Sequence, residues 1–440
     1  MNFVLLLVLT AIMHAMRSFS ASMDVMSNGT TLAFGYLLLV AFFVGGYFKA
    51  VSLPKLTGYL VTGIIVGPPL FDLVSHAMLE SLEVVSGMAI ALIAMSAGAE
   101  LEMKSMRPLI RSVLSISFVA LAVTALLLTG AIFIASDWMP FLRDLPLGPR
   151  IAVAVMLATV MSARSPAVVI ALRDEMQAQG IVSRTATASV ILGDLTVVVL
   201  FAFVSAVAKA ALGDGASALE AAAGVSWAIF GSLGFGAVLG LLLAVVLRRV
   251  PKSSPLFVML MAFVIAEVGQ RLGLDPLLLA LSAGLFVRNF SDQGLTLHEV
   301  ISGAGLPVYV LFFAVAGASL HLEALRTVGL LAPVFALTRA VGLLLGGRLG
   351  AKLGGSPPEV RRYAPYGLLP QAGLALGLSH LMARTFPGLG AEAGALTLAV
   401  VALNELIAPV VYRWALVKSG ETTQKNGESP AVVATAGGHS

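Results

Sequence analysis

Apolar residues dominate this chain in long, unbroken blocks that are separated by short polar stretches. Most blocks contain about 17–25 residues, which is the length that a helix needs to cross roughly 30 Å of hydrocarbon. Strands of a membrane barrel would instead alternate apolar and polar residues over shorter segments. The pattern therefore predicts an all-α polytopic membrane protein.

Counting the blocks after the first 30 residues predicts about 13 transmembrane helices, and the linkers between them are too short to contain a soluble domain. The whole of residues 31–418 is therefore expected to form one membrane domain. The predicted spans lie near residues 32–48, 56–74, 82–99, 109–135, 151–172, 184–208, 225–247, 255–271, 275–290, 301–320, 328–351, 361–383 and 391–416.

The two termini differ from this membrane domain. Residues 1–30 contain an apolar run at 3–16 that is short for a span and is followed by small residues at 18–22. They are expected to be a signal peptide or an extra N-terminal helix. Residues 419–440 are polar, have no apolar periodicity and are predicted to form a disordered tail.

Composition supports the membrane assignment and excludes several classes of protein. The chain is 58% hydrophobic and 11% charged, whereas an ordinary soluble domain has roughly 25% charged residues. With no cysteine, the protein has no disulfide and no thiolate metal site. The net charge of +4 is embedded in apolar sequence and does not indicate binding of nucleic acid.

The charged loops predict the orientation in the membrane. With the segment before the first span outside, about 18 of the 27 Lys and Arg residues fall on the cytoplasmic side. This bias follows the positive-inside rule. It predicts a multi-pass protein of the cell (inner) membrane with its C-terminus in the cytoplasm.

Among the ionisable residues of the predicted spans, six stand out at membrane depth, where an unpaired charge costs several kcal/mol. Asp194 is the one acid buried in the sixth span. A carboxylate at this depth can bind a small cation or take up a proton, although a purely structural ion pair is the alternative. The six residues are Arg164, Asp194, Glu267, Arg339, His380 and Glu405.

Two spans are interrupted at matching places. Pro166 breaks the fifth span, and Pro370 with Gln371 breaks the twelfth. Because the two spans are an odd number apart, they run in opposite directions, which indicates two inverted repeats with broken helices crossing near the membrane midplane. Oxygen atoms for a hard cation are expected near the first break, from Thr159, Ser162 and Ser165.

The remaining charges in the spans are candidates for charge compensation. Arg339 could neutralise Asp194 when no ion is bound, or it could pair permanently with Glu405. Arg164 could compensate the negative C-terminal end of the half-helix before the first break. Glu267 and His380 lie near span edges and are interpreted as packing or interfacial groups.

Six motifs in order carry a resemblance to a known family. The chain resembles the monovalent cation:proton antiporter superfamily of bacterial sodium/proton and potassium/proton exchangers over residues 32–420. The motifs are LPKLTGYLVTGIIVGP at 53–68, SARSPAVVI at 162–170 with Asp194, GLDPLLLALSAGLFVRN at 273–289, FFAVAGASL at 312–320, LPQAGLALG at 369–377 and LNELIAP at 403–409.

The resemblance implies a secondary antiporter, not an enzyme, that exchanges H+ for Na+ or K+ without a cofactor. It implies a homodimer in which dimerisation and core subdomains are interleaved within residues 31–418, and an elevator-type motion of the core. Asp194 matches the family's ion-binding aspartate, and Arg339 matches its basic residue in the eleventh span. The residue before the aspartate is usually Asp, Asn or Gln in this family, and here it is Gly193.

Two other functions stay open for this sequence. Gly193 and Arg164 both alter the site, so a non-transporting ion sensor on the same fold is one alternative. A cation-coupled transporter of another solute is the second. An intramembrane aspartyl protease would need a second aspartate deep in a span, and the sequence has none.

Overall fold

The structure is a computed structural model, and the described residues in it are almost entirely helical. They contain no β-strand, which confirms the all-α prediction. His380 and nearly all of the predicted leader over 1–30 lie outside the described residues. The described residues are 10–11, 13, 30–51, 53–68, 70–211, 227–249, 254–320, 328–371, 374–375, 377–379, 382, 386 and 390–422.

The α-helices of the described segments are numbered here in chain order. They are α1 Thr30–Ala50, α2 Lys55–Val66, α3 His76–Ser81, α4 Glu83–Glu100, α5 Met103–Met106, α6 Ile110–Ile134, α7 Pro140–Arg143, α8 Leu147–Met161, α9 Pro166–Met176, α10 Ile181–Ala211, α11 Ser232–Arg249, α12 Ser254–Leu272, α13 Pro276–Phe290, α14 Gly294–Ala304, α15 Leu306–Ala318, α16 Leu331–Leu353, α17 Pro358–Tyr363 and α18 Gly390–Lys418. A π-helix, Trp227–Gly231, precedes α11, and 3-10 helices cover Arg107–Leu109, Ala135–Trp138 and Ala364–Leu368.

The helices have the length and composition of membrane spans. In the described part of the chain, seven are long and apolar enough to cross a bilayer, one bent pair could form a further span, and four apolar helices are shorter. Large apolar side chains project from their outer faces, as Phe118 on α6 and Leu337 on α16 do. The protein is therefore a multi-pass membrane protein, while the number of thirteen spans stays a prediction.

Two segments differ from their predicted boundaries. The second predicted span, 56–74, ends as a helix at Val66, because Gly67 and Pro68 follow and do not continue it. The segment before α15 forms the separate helix α14, and the two helices are bent by 59°. Pro307 near the start of α15 lacks the backbone N–H that would continue the hydrogen bonding of α14.

Glycines bring α6 and α16 into close contact. Gly342, Gly346 and Gly350 lie four residues apart on the face of α16 that packs against α6. A Cβ atom at Gly346 would lie 2.7 Å from the Ala120 Cα, and one at Gly350 would lie 2.8 Å from the Ile116 Cα. Small residues at this spacing let the backbones of membrane helices approach each other closely.

A second group of helices packs in the same way. The backbones of α2 and α15 approach so closely that a Cβ at Gly63 would meet the Ala314 carbonyl oxygen, and α4 meets α13 similarly at Gly98. Helices α6, α8, α10, α16 and α18 thus form one packed group, and α1, α2, α4 and α11–α15 form another. Helix α9 contacts members of both groups.

The predicted tail begins with ordered residues. The Glu421 carboxylate accepts hydrogen bonds from the backbone N–H groups of Val182 and Ser183 at 2.6 and 2.8 Å. This carboxylate therefore caps the N-terminus of α10, where free N–H groups and the helix dipole favour a negative charge. The predicted disorder does not extend to residues 419–422, and residues 423–440 lie outside the described part.

The close packing of α6 and α16 predicts that Gly346→Ala lowers stability. The added methyl group would meet backbone, which cannot rotate away, so we expect a loss of about 1–3 kcal/mol. Gly234→Ala on α11 is the matched control, since nothing lies within 4 Å of its Cβ position. Melting temperatures in detergent should fall for Gly346→Ala alone. Equal melting temperatures for the two variants would contradict the packing argument.

Candidate ion-binding site

The first break separates α8 from α9. Helix α8 ends at Met161, and Pro166 begins α9 without a backbone N–H. Ser165 caps α9, and its hydroxyl oxygen accepts a hydrogen bond from the N–H of Val168 at 3.3 Å. The break leaves carbonyl groups at the end of α8 without partners in their own helix, as the predicted interruption at Pro166 requires.

The second break directly contacts the first one. The 3-10 helix Ala364–Leu368 ends before Pro370, whose carbonyl oxygen accepts the N–H of Ser165 at 2.9 Å. The Gln371 amide donates to the Met161 carbonyl oxygen at 3.1 Å. The Asn404 amide in turn donates to Gln371 Oε1 at 3.0 Å. The two interruptions predicted from the prolines therefore meet in space.

Asp194 lies at this meeting point. It projects from α10 and is 5% exposed. Its Oδ1 accepts the backbone N–H of Arg164, which lies within the first break, at 2.8 Å. An ionised carboxylate has about four acceptor positions, so this hydrogen bond leaves room for further ligands.

Hydroxyl groups of the first break are buried near its backbone. Thr159 donates to the Val155 carbonyl oxygen at 2.8 Å, and Ser162 donates to the Ala158 carbonyl oxygen at 2.7 Å. Each hydroxyl oxygen keeps lone pairs after donating its hydrogen. The oxygens of Thr159, Ser162 and Ser165 can therefore still act as ligands of a cation.

Arg339 binds the carbonyl groups of both breaks. It is fully buried on α16, and its guanidinium donates 2.7 Å hydrogen bonds to the carbonyl oxygens of Met161, Ala163 and Leu369. Among the described residues it forms no ion pair with Asp194 or with Glu405. The expected direct pairing of Arg339 with a carboxylate is thus absent from the described structure, because the guanidinium donates its hydrogen bonds to the carbonyl oxygens at the two breaks.

Arg164 also binds carbonyl groups, but away from the break. Its guanidinium donates to the carbonyl oxygens of Ser189 and Ser117 at 3.2 and 3.3 Å. The negative C-terminal end of α8, which Arg164 was expected to compensate, is therefore bound by Arg339 instead. Sequence reasoning missed Ser117 and Ser189, although a buried arginine always requires several acceptors nearby.

The other predicted charges lie apart from these contacts. Glu405 is 4% exposed, and its Oε2 has no hydrogen-bond partner in the described structure. It does not pair with Arg339, because the carbonyl oxygens of the two breaks already occupy that guanidinium. Glu267 is partly exposed and pairs with Arg271 at 2.5 Å.

A cavity of about 520 Å³ lies near the N-terminal end of α10, and its lining does not include Asp194. It opens between α9 and α10 on one side and α2, α13 and α15 on the other, and charged residues such as Lys55, Glu175 and Arg288 line it. Thr187 on α10 also lines the cavity. Asp194 lies seven residues further along the same helix, which is about 10 Å and returns to the same face.

Comparison with known proteins places this architecture among transporters. The family described as "Sodium/hydrogen exchanger, transmembrane" matches residues 4–418. Two solved structures of the sodium proton antiporter MjNhaP1 from Methanocaldococcus jannaschii, one at pH 8 and one a 3D EM map, are similar in fold. For each, the TM-score is 0.65 at 16% identity, covering 89% of this chain and 98% of that chain. No curated protein sequence matches significantly.

The contacts of Arg339 predict that its main effect is on stability. Arg339→Gln leaves buried carbonyls without donors, and we expect the protein to lose about 2–5 kcal/mol. Arg348→Gln on the same helix is the control, because its hydrogen bond to Tyr366 is exposed. Melting temperature in detergent measures both variants. A wild-type melting temperature for Arg339→Gln would show that the carbonyl contacts are dispensable.

Proposed function

The chain belongs to the sodium/hydrogen exchanger family, and we propose that it exchanges protons for Na+ or K+ with Asp194 as the binding residue. Family membership supports cation/proton antiport across a membrane. The observation that carries the assignment of the site is the hydrogen bond from the Arg164 N–H to Asp194 at the junction of two broken helices.

Competition for one carboxylate couples the two ions. A cation and a proton each neutralise Asp194, and the carboxylate cannot hold both at once. Moving a bare carboxylate through an apolar barrier is costly, whereas the loaded carboxylate can move. Each binding event therefore permits the core to change its orientation, and exchange follows without any covalent step.

The cation shell is proposed to combine side-chain and backbone oxygens. Hard cations are bound by carboxylate, hydroxyl and carbonyl oxygens together with water. Thr159, Ser162 and Ser165 keep lone pairs next to the break and supply such oxygens. The sensor and the cation-coupled solute carrier would use the same residues, so transport assays must separate them from antiport.

The packing supports an elevator-type motion. The group α6, α8, α10, α16 and α18 carries Asp194 and most contacts of the breaks, so we assign it as the moving core. The other group would form the scaffold and the contact between two copies in a homodimer. The charged cavity would be the cytoplasmic entrance in a protein of the inner membrane, with its C-terminus on the same side.

The first test is cation-driven exchange by Asp194→Asn. Everted vesicles with a pH-sensitive dye report dissipation of a pH gradient when Na+, K+ or Li+ is added. The amide keeps the acceptor for the Arg164 N–H but cannot exchange a proton, so we expect a folded protein without exchange. Asp292→Asn, whose side chain is 93% exposed, is the matched control and should retain full exchange.

The outcomes separate the competing functions. A wild-type response that the Asp194→Asn variant lacks supports antiport at this site and identifies the ion. Normal exchange by the variant would refute the role of Asp194. Wild-type protein that is stabilised by an ion but moves none would favour the sensor, and flux that requires an organic solute would favour the solute carrier.

A further inference from the structure

Gly193 lies beside the ion-binding residue and is packed against a charged group. A Cβ atom at this position would overlap Arg164 Nη1 and would lie 2.7 Å from its Cζ. Gly193 is also the single glycine in the 31 residues of α10. A glycine in a helix interior costs about 1 kcal/mol relative to alanine, so its presence here is explained by the space that it leaves.

The guanidinium of Arg164 fills this space completely. It has no solvent exposure, and it bridges α10 through the Ser189 carbonyl and α6 through the Ser117 carbonyl. The Ser189 carbonyl lies one turn before Gly193, so the guanidinium lies against this turn of the α10 backbone. We call the space between Gly193, Ser189 and Ser117 the guanidinium seat.

The same residue also contacts Asp194 through its backbone. The Arg164 N–H donates to Oδ1, while its side chain is anchored at two points. Anchoring the side chain limits the movement of the peptide that carries this N–H. No ion pair within 4.0 Å joins the guanidinium to Asp194 in the described structure, but the guanidinium lies against Gly193, the residue directly before Asp194.

We propose that Arg164 is a positioning residue that acts as a resident cation, and that Gly193 exists to seat its guanidinium. In this arrangement, the guanidinium of Arg164, a residue of the first break, occupies the position that a side chain at residue 193 would otherwise fill. The seat fixes the N–H that orients Asp194. Its positive charge also weakens the binding of a second cation, so it sets the apparent affinity for the transported ion. The proposal rests on the proposed antiport.

A double-mutant cycle between the two residues tests the seat. In the wild-type background, Gly193→Ala should displace the guanidinium and lower both the exchange rate and the melting temperature. In the Arg164→Ala background, the same change should no longer lower the exchange rate or the melting temperature, because the overlap has gone, and the melting temperature should stay the same or rise through the helix preference of alanine. Gly130→Ala on α6 is the control, since nothing lies within 4 Å of its Cβ position.

Kinetics distinguish the resident charge from a purely structural arginine. Arg164→Gln removes the charge, and we expect the apparent KM for the transported cation to fall by about threefold or more, with a lower maximal rate. Arg164→Lys keeps the charge but loses the two-point anchor, so its KM should stay near that of the wild type. A purely structural role would lower the maximal rate and leave every KM unchanged.

Each outcome bears on the proposal even if transport fails. Wild-type exchange and melting temperature in Gly193→Ala would overturn the seat, and so would equal effects of this change in both backgrounds. An unchanged or higher KM in folded Arg164→Gln would overturn the resident charge. If the wild type moves no ion, the proposed function fails, while the melting temperatures of the cycle still decide the seat.

Discussion

Backbone groups that are freed inside a membrane must find partners within the protein, and the arrangement around Asp194 depends on this constraint. Each helix break releases carbonyl groups that water cannot reach. Arg339 binds three of them at 2.7 Å, two from the first break and one from the second. A planar guanidinium with five donors suits this task better than a lysine, which is a point charge.

Carbonyl oxygens bind both buried arginines, Arg164 and Arg339. The Asp194 carboxylate is therefore left without an ion pair to either of them in the described structure. Had Arg164 or Arg339 paired directly with Asp194, a transported cation would have to displace a guanidinium before binding. Instead, one backbone N–H donates to Asp194, and neither guanidinium forms an ion pair with its carboxylate in the described structure. We propose that such a site binds and releases a small ion with modest changes in free energy.

Close helix packing is what brings these partners together. The glycine contacts hold α6 and α16 together, so that Arg339 of α16 reaches the carbonyl oxygens of the first break and the Ser117 carbonyl of α6 reaches the Arg164 guanidinium. In lipid there is no hydrophobic drive to press helices together, so such contacts rely on backbone approach and hydrogen bonds. Stability and the geometry of the site thus depend on the same small residues.

Predictions from the sequence were correct where they depended on residues that are close together in the chain. Apolar blocks of membrane length predicted helices, and prolines in mid-span predicted the breaks at Pro166 and Pro370. A lone acid in an apolar span made Asp194 the candidate for ion binding, since an unpaired charge at membrane depth is costly, and this role stays a proposal. Among the described residues, Arg339 binds carbonyl oxygens and not the expected carboxylate. Spacing along the chain could not predict this, because it does not show which acceptors a long side chain reaches.

By itself, the sequence determined the membrane class, the helical segments and the identity of the polar residues within them. These properties follow from hydrophobic length and from the local geometry of proline. Only the tertiary structure decided that the two breaks touch, that Arg339 binds carbonyls of both, and that Gly193 accommodates Arg164. Such contacts join residues up to about 200 positions apart, and close packing of several helices, rather than any local preference, selects them.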